Sequence, residues 1–317
     1  MQAEVSPLKE SADGVINERL VRLVSRQFSG PGKIETDIPG LCLFRSDSNT
    51  TCQAGTYEPS LFFGIQGSKD VQLGDRNIRF KPFTYLFATV HLPVLVNHID
   101  ASPENPYIGL KLTVQQEELA QLLMETSESP SAKPAGNGVC NGECGLSHAI
   151  MDNEMQLALE RLLGLLEKPA DIPILAPLAR RELLYRALMG ELGPHIRKFA
   201  TLDNASQRIA QVISILQDRF NESMRVSDLA EQVNMSESSL FHTFKKITRM
   251  SPLQYQKMLR LNEARRLMLT EGLEAASASF QVGYESPSQF SREYRRQFGA
   301  PPRAEVSRLR AQSHTQL

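Results

Sequence analysis

The chain has 317 residues, of which 41% are hydrophobic and 22% charged, and its formal net charge is −1. This composition is typical of a globular protein and excludes a low-complexity or fibrous chain, while the length is enough for two or three domains. Residues 201–317 carry a basic excess and the remainder an acidic one, as expected when only one domain faces a polyanion. We find no signal-peptide pattern and no apolar run of about 18 residues, so we expect a cytoplasmic protein without a membrane partner.

The first part of the chain begins with a helical pattern and continues with a β-rich one. Apolar residues recur at helical spacing over residues 11–28, which predicts an amphipathic helix. From about 34 to 114, short apolar or alternating runs are separated by Gly, Pro, Asn and Asp, which predicts a β-sandwich or a small barrel. The predicted strands are Leu41–Arg45, Ser60–Gln66, Lys69–Leu73, Asn77–Phe80, Tyr85–Val90, Val94–Ile99 and Tyr107–Val114, with a hairpin turn at Gly74–Asn77.

Residues 126–147 are rich in Gly, Ser and Pro, which predicts a flexible loop. Two helices are predicted after it, over Ala149–Lys168 and over Ala176–Glu191, the second opened by Pro177. An apolar stripe of this width packs either on its own domain or on a second subunit, and both remain open. On the first helix the stripe consists of Met155, Leu159, Leu162, Leu163 and Leu166.

Two helix-turn-helix patterns lie in the last third of the chain, over residues 226–244 and 275–294. When they are aligned, Asn234 at the turn of the first matches Gly283 in the second. This turn needs a residue that tolerates positive φ, and Asn and Gly are the types best suited to it. One such pattern is a weak signal, but two in register indicate a domain that binds duplex DNA.

The helix starts of this region are marked by Ser251-Pro-Leu-Gln254 and Ser286-Pro-Ser-Gln289. Each places Ser at the N-cap, Pro at the first helical position and Gln two residues later, which predicts a capping box. The predicted connecting helix, Leu253–Thr270, is about 27 Å long at 1.5 Å per residue. It can therefore hold two recognition helices about one DNA turn apart, roughly 34 Å, on one face of the duplex.

The outward-facing side chains of the two recognition helices are the candidate base contacts. Arg292 suits the O6/N7 pair of a guanine, and His242 suits a base acceptor or a phosphate. Phe241 either rests on a thymine methyl group or packs on the connecting helix. The residues expected to contact phosphates and set the register are Lys245, Lys246, Arg295 and Arg296. Arg265 and Arg266, on the connecting helix, are expected to face solvent or another domain.

The C-terminal part resembles the AraC/XylS family of bacterial transcription regulators over about 100 residues. The matching stretches are Ser227–Ala230, Met235–Lys246, Ser251–Tyr255, Arg260–Leu267 and Val282–Gly299. The resemblance implies that the base-reading positions are Ser238, Phe241 and His242 in the first unit, and Pro287, Ser288, Gln289 and Arg292 in the second. It also implies promoter DNA and RNA polymerase as partners, with activation the commoner role.

The N-terminal part resembles the regulatory domain of one subgroup of that family, a cupin-like barrel followed by helices. The matching stretches are Tyr57–Leu61, Gln66–Lys69, Leu92–Val94 and Ala101–Pro106. The resemblance implies an α+β fold, with a regulatory domain over residues 1–200 and a tandem helix-turn-helix domain over 201–317. It further implies an effector of unknown identity and allows a homodimer. The candidates for the barrel interior, which would equally fill an ordinary core, are Phe62, Ile65, Phe83, Leu86 and Phe87.

Two alternative functions remain open. A redox-responsive regulator would use Cys140 and Cys144 as exposed thiols in the flexible loop. A metal-dependent enzyme with a cupin-shaped barrel would need a ligand triad. His91 and His98 are the nearest histidines to such a pattern, and no carboxylate completes it. We therefore expect no metal, no cofactor and no enzymatic activity.

Overall fold

The computed structural model describes residues 7–127, 144–201 and 204–314. The chain forms two compact units, of which the second comprises the residues from Asn204 onward together with the short segments Ala54–Thr56 and Pro93–Leu95. The first unit mixes helices with antiparallel sheet, and the second consists of helices and turns. In the described part of the chain, no helix is both long and apolar enough to cross a membrane.

The first unit opens with helix α1 (Pro7–Ser25), and helices α2–α5 follow its strands. These helices are α2 (Gln116–Ser127), α3 (Asn153–Gly164), α4 (Ile172–Met189) and α5 (Gly193–Ala200). The strands are β1 (Gly32–Glu35), β2 (Leu41–Ser46), β3 (Thr50–Tyr57), β4 (Ser60–Gln66), β5 (Ser68–Leu73), β6 (Arg76–Phe80), β7 (Thr84–Ala88), β8 (Leu92–Asp100), β9 (Tyr107–Thr113) and β10 (Leu146–Ile150).

The described strands form a six-stranded sheet in the order β1-β2-β9-β4-β7-β10 and a four-stranded sheet in the order β3-β8-β5-β6. The two sheets face each other, because the ring of Tyr57 on β3 stacks on that of Phe62 on β4 at 4.2 Å. In antiparallel register Phe62 lies opposite Leu86 on β7, so both side chains share this inner face. Phe87 and Ile65 belong instead to the core beneath the helices. Of the two alternatives left open by the sequence, a place in an ordinary core is therefore the one that applies to Ile65 and Phe87, and Phe83 packs against the same core.

Local chemistry explains where the strands turn and where the backbone is strained. β5 and β6 are joined by the two residues Gly74 and Asp75, with Leu73 paired to Arg76 and a positive φ of 60° at Gly74. This turn confirms the predicted hairpin.

Phe83 also has a positive φ, 56°, which costs an aromatic residue about 1–3 kcal/mol. Its backbone is held at both ends, since its N–H donates to Gly64 O and its carbonyl accepts from Met151 N, each at 2.8 Å.

The helices after the sheet start at other residues than predicted. Ala149 and Ile150 belong to β10, which pairs with β7, and α3 begins after Asp152, whose carboxylate accepts from Met155 N at 2.8 Å. A proline in the first turn begins α4 at Ile172, whereas Pro177 lies inside this helix. The predicted spans Ala149–Lys168 and Ala176–Glu191 were therefore wrong at their starts.

The apolar stripe of α3 packs within its own unit. Its side chains are 1% exposed or less at Met155, Leu159, Leu162 and Leu163, and they join the core formed with α1, α4 and the six-stranded sheet. Of the two alternatives left by the sequence, the structure therefore supports packing on the chain's own domain. α4 itself carries four exposed large apolar side chains, Ile174, Leu175, Leu178 and Tyr185.

The two ends of the predicted loop over 126–147 belong to a helix and a strand, and the rest of it, residues 128–143, lies outside the described residues. α2 continues to Ser127, and β10 begins at Leu146. Cys144, just before that strand, is only 4% exposed, so the prediction of an exposed thiol there was wrong. The reason is tertiary pairing: Leu146 pairs with Ala88, and Thr89 N donates to Gly145 O at 2.9 Å. Cys140 lies outside the described residues.

The second unit contains helices that match the two sequence patterns. They are α6 (Asn204–Asp218), α7 (Val226–Gln232), α8 (Glu237–Thr248), α9 (Pro252–Arg266), α10 (Ala275–Gln281), α11 (Pro287–Phe298) and α12 (Pro302–His314). The predicted connecting helix is not one regular helix, because α9 is followed by a π-helical turn over Leu267–Glu271 that ends at Gly272, with a φ of 73°.

Candidate DNA-binding interface

The first helix-turn-helix unit is α7 and α8. Asn234 at its turn has a φ of 51°, as the sequence predicted, and Met235 N closes the turn by donating to Ala230 O at 2.9 Å. α8 starts at the N-cap Ser236, whose hydroxyl accepts from Ser239 N at 3.2 Å. Leu240 and Phe244 on α8 are fully buried, so the opposite side of this helix faces outward.

The second helix-turn-helix unit is α10 and α11, and its turn requires glycine. Gly283 has a φ of 87°, and a Cβ at this position would lie 2.1 Å from the carbonyl oxygen of Asn221. Any side chain would therefore push the loop before α7 away. Phe290 and Tyr294 on α11 are fully buried, in the manner of Leu240 and Phe244 on α8.

The two predicted capping boxes differ in the structure. At α9 the box is complete: Ser251 Oγ accepts from Gln254 N at 3.3 Å, and Gln254 Oε1 accepts from Ser251 N at 2.9 Å. At α11 Ser286 caps the helix through Gln289 N. The Gln289 side chain instead donates to Glu293 Oε1 at 3.3 Å. Only the first capping box is therefore formed as predicted.

The outer faces of α8 and α11 carry the predicted contact residues. On both helices the residues that face out are polar or basic with the exception of Phe241. This ring is 39% exposed, and its edge contacts the ring of His242 at a centroid distance of 6.1 Å. The exposed residues among the predicted contacts, together with Arg296, are Ser238, Phe241, His242, Lys245 and Lys246 on α8, and Ser288, Gln289, Arg292, Arg295 and Arg296 on α11. Glu237 and Ser239 in the first turn of α8 are exposed as well. Pro287 is half-buried at the start of α11.

Two residues of α9 bond the segments that flank it, and Arg260 alone of the two reaches both helix-turn-helix units; sequence reasoning missed both residues. The Arg260 guanidinium donates to Phe220 O at 2.6 Å, to Glu222 O at 2.8 Å and to Gly283 O at 2.9 Å. Gln256 Nε2 donates to the same two loop carbonyls, at 3.0 Å to Phe220 and 2.8 Å to Glu222. Arg260 therefore bonds both the loop before α7 and the turn between α10 and α11. We call Gln256 and Arg260 the α9 clamp.

A charged pair also joins α9 to the second recognition helix. Lys257 Nζ lies 2.9 Å from Glu293 Oε1, and the Tyr284 hydroxyl donates to Glu293 Oε2 at 2.8 Å. Burial raises the pKa of Glu293, but the hydrogen bonds from Lys257 and Tyr284 outweigh it and hold this pKa below its ordinary value. The carboxylate is thus ionised at neutral pH and orients α11 against α9.

Arg265 was predicted to face solvent or another domain, and this was wrong. It is 6% exposed and pairs with Glu305 of α12, which is fully buried. The guanidinium also lies 4.7 Å from the centre of the Phe298 ring, and Tyr294 donates to the second oxygen of Glu305 at 2.7 Å. The partner is 40 residues away along the chain, so no local pattern reveals it. Arg266 is exposed, as expected.

The described residues provide neither a metal-binding cluster nor a reactive surface thiol. Within 7–127, 144–201 and 204–314, no three His, Cys, Asp or Glu side chains are grouped so that they could hold a metal ion. Cys42 is fully buried, and burial raises its thiol pKa to about 11. A thiol with such a pKa is a poor nucleophile at neutral pH. Neither this cysteine nor the buried Cys144 is a reactive surface thiol.

Comparison with known proteins agrees with this architecture. The HTH-type transcriptional activator RhaS of Escherichia fergusonii is 29% identical over 167 residues, which cover 52% of this chain and 58% of that protein. RhaS of Salmonella typhimurium is 27% identical over 160 residues, covering 50% of this chain and 56% of that protein. The match thus spans somewhat more than half the length of these curated relatives.

The chain also matches solved structures and family models. ToxT from Vibrio cholerae O395 has a TM-score of 0.48 and 11% identity, covering 84% of this chain and 96% of its own. The DNA-binding domain of AdpA in complex with a target DNA has a TM-score of 0.32 and 28% identity, covering 33% and 95%. Residues 229–308 match a helix-turn-helix domain model, and residues 37–195, half of the chain, match the model of the AraC-type transcriptional regulator N-terminus. The chain therefore belongs to the AraC-type family of transcriptional regulators.

Proposed function

We propose that this protein is a sequence-specific activator of transcription that reads two successive major-groove segments of promoter DNA with α8 and α11. The observation that carries the proposal is the pairing of two capped recognition helices whose exposed faces are polar and basic. The α9 clamp supports it, because its hydrogen bonds to the loop before α7 and to the turn between α10 and α11 link the two recognition helices. The relatives named above are transcriptional activators, and residues 229–308 of this chain match a helix-turn-helix domain model.

The proposed contacts divide into base and phosphate contacts. Base reading falls on Ser238, Phe241 and His242 of α8 and on Pro287, Ser288, Gln289 and Arg292 of α11. Of these, Arg292 is the exposed guanidinium suited to a guanine. Gln289 must release its hydrogen bond to Glu293 to reach a base. Lys245, Lys246 and Arg295 are proposed to contact phosphates, which fixes the register without reading sequence.

The first unit is proposed to be a regulatory domain that responds to a small molecule. RNA polymerase is the second expected macromolecular partner, since an activator acts through it, and the proposed location is the cytoplasm. A homodimer is also proposed. Its surface would be the exposed face of α4, where Ile174, Leu178 and Tyr185 recur at helical spacing and are 71%, 61% and 37% exposed. No enzymatic activity forms part of the proposal.

Selection of bound duplexes from a random DNA pool tests the DNA-reading role. The full-length protein is used at about 150 mM salt, so that non-specific phosphate binding does not dominate. We expect a bipartite motif with half-sites about one helical turn apart. The variant Arg292→Ala serves as the control and should lose preference at one base position of a single half-site. A motif confined to one short half-site would contradict reading by two helices.

A further inference from the structure

The last helix, α12, reaches both the connecting helix α9 and the second recognition helix α11 through one side chain. Glu305 is fully buried, and its two carboxylate oxygens have different partners. Oε1 accepts from the guanidinium of Arg265 on α9, and Oε2 accepts from the Tyr294 hydroxyl on α11 at 2.7 Å. One carboxylate therefore joins three helices. We call Arg265, Glu305 and Tyr294 the buried network.

Aromatic rings of α11 surround this network. The ring of Tyr294 contacts Phe290 at a centroid distance of 5.4 Å and Phe298 at 4.5 Å, and the Arg265 guanidinium lies 4.7 Å from the centre of Phe298. Hydrogen bonds to a charged group in such apolar surroundings are strong and directional. Apolar packing alone tolerates small shifts of a helix more readily. The buried network therefore restricts how α11 can rotate and tilt.

The first recognition helix is held differently at the equivalent position. In the alignment of the two helix-turn-helix units, Phe244 of α8 takes the place of Tyr294. Phe244 has no hydroxyl group, and its ring packs edge-on against Tyr255 at a centroid distance of 5.5 Å. At this position α8 is thus held by apolar packing and α11 by a hydrogen bond to a carboxylate. Any effect of the network on DNA reading should therefore fall on the half-site of α11.

The other charged link between α9 and α11 is more exposed. The side chains of Lys257 and Glu293 are 48% and 21% exposed, against 7% and 0% for Arg265 and Glu305. Water screens exposed ion pairs, so such pairs hold two side chains together only weakly. We therefore expect the buried network to dominate the orientation of α11.

The orientation of α11 determines where its base-reading residue points. Arg292 lies two residues before Tyr294, which places it about 200° around the helix at 3.6 residues per turn. Tyr294 is buried and Arg292 is exposed, so the two side chains leave the helix on opposite sides. Bidentate contact with a guanine tolerates little angular error. A bond that fixes Tyr294 therefore also fixes the direction of Arg292.

We propose that Glu305 is a positioning residue for DNA reading: through Tyr294 it orients α11 and thereby sets the base preference of the second half-site. Burial of a charged pair costs desolvation free energy, and a well-packed apolar pair of similar volume often gives equal or greater stability. The network as a whole therefore contributes orientation rather than net stability. This inference rests on the proposed function and adds α12 to the elements that determine sequence preference.

Replacement of the charged pair by an apolar pair separates orientation from stability. Glu305→Leu removes the carboxylate that faces a buried guanidinium, whereas the double variant Arg265→Met, Glu305→Leu removes both charges. We expect the single variant to unfold at a clearly lower temperature and the double variant to recover most of that loss. Tyr294→Phe removes only the hydrogen bond that reaches α11. The matched control, Arg266→Met, Glu263→Leu, removes an exposed pair of the same two residue types from α9.

Competition fluorescence anisotropy with the full-length protein, at about 150 mM salt, compares the two half-sites of the selected duplex. Discrimination is the ratio of the affinity for that duplex to the affinity for one with a single base pair replaced. The half-site of α11 is the one at which Arg292→Ala loses discrimination. There we expect a loss of about tenfold for the double variant and about threefold for Tyr294→Phe, with less than about twofold at the half-site of α8. The control should match the wild type.

Two results would overturn the positioning role. One is a double variant that folds and keeps its discrimination at the half-site of α11, together with unchanged discrimination in Tyr294→Phe. The other is a loss of equal size at both half-sites, because it would reflect general weakening of the domain. If the double variant does not fold, Tyr294→Phe decides alone. A wild-type protein that selects no motif overturns the proposed function and this inference with it, whereas a bipartite motif that the network variants read normally overturns this inference alone.

Discussion

Replacement of Arg260 by methionine should separate the two recognition helices functionally without removing either of them. The change keeps the apolar stem and eliminates the three hydrogen bonds to Phe220, Glu222 and Gly283. Gln256 remains bonded to the loop before α7, but no side chain of the α9 clamp then reaches the turn between α10 and α11. The variant therefore tests whether the connection between the two helix-turn-helix units determines which spacing of DNA half-sites is bound.

The magnitude follows from the bonds that are lost. A hydrogen bond that involves a charged group contributes about 1.5–3 kcal/mol, but these carbonyls are partly exposed and water replaces part of the loss. We expect about 2–4 kcal/mol less stability in the second unit. On DNA, a rigid connection makes binding of the second half-site intramolecular, and this advantage falls when the connection loosens. We expect affinity for a bipartite site to fall about 30-fold, but only about threefold for a single half-site.

The assay is fluorescence anisotropy on duplexes with the two half-sites at the selected spacing and at spacings one and two base pairs longer. Arg260→Met should lose affinity at the selected spacing and discriminate less among the three. Arg266→Met is the matched control, because Arg266 lies on the same helix and bonds only nearby residues, Glu263, Thr270 and Glu271. Equal losses on bipartite and single sites would refute the clamp as the origin of the spacing.

Three further predictions follow from other contacts. Arg292→Ala should cost about 1–3 kcal/mol of DNA-binding free energy at one base position in competition binding. Lys246→Ala should instead weaken binding to all duplexes alike and reduce the salt dependence of the affinity by about one unit of slope. An equal loss of affinity on all duplexes for Arg292→Ala would argue against base reading. Glu305→Ala should lower the urea unfolding free energy of the second unit by about 3–5 kcal/mol, because it leaves a buried guanidinium unpaired; a loss below about 1 kcal/mol would contradict this. Burial lowers the pKa of His148 and of His195, with smaller contributions from nearby cations. Their neutral forms therefore stabilise the first unit above about pH 6.5, and stability should fall as the pH drops below it; calorimetric midpoints of the His148→Leu, His195→Leu double variant should show a flatter pH dependence.

The second unit was easier to predict than the first because its signals are local. The positive φ at Asn234 and Gly283 follows from the residue types that tolerate it. The N-cap Ser251 and its partner Gln254 lie within one helical turn. Apolar spacing then determined which side of α8 and α11 faces out. Each of these inferences needs only residues a few positions apart.

The secondary structure of the first unit was harder to predict, because its elements depend on partners that are distant in the sequence. β10 was predicted as the start of a helix, yet Leu146–Ile150 becomes a strand by pairing with β7, almost sixty residues earlier in the chain. The same pairing buries Cys144, which a local reading placed in an exposed loop. The apolar run of β4 was visible in the sequence, but which of its side chains face the second sheet was not.

By itself the sequence determined the family, the two helix-turn-helix units and the outward face of each recognition helix, because caps, turn residues and helical periodicity act over a few residues. Only the tertiary structure decided that Arg265 is buried against Glu305 and that Arg260 bonds both the loop before α7 and the turn between α10 and α11. The physical reason is that desolvation, ion pairing and hydrogen bonding between distant segments depend on groups that folding brings together from positions far apart in the chain.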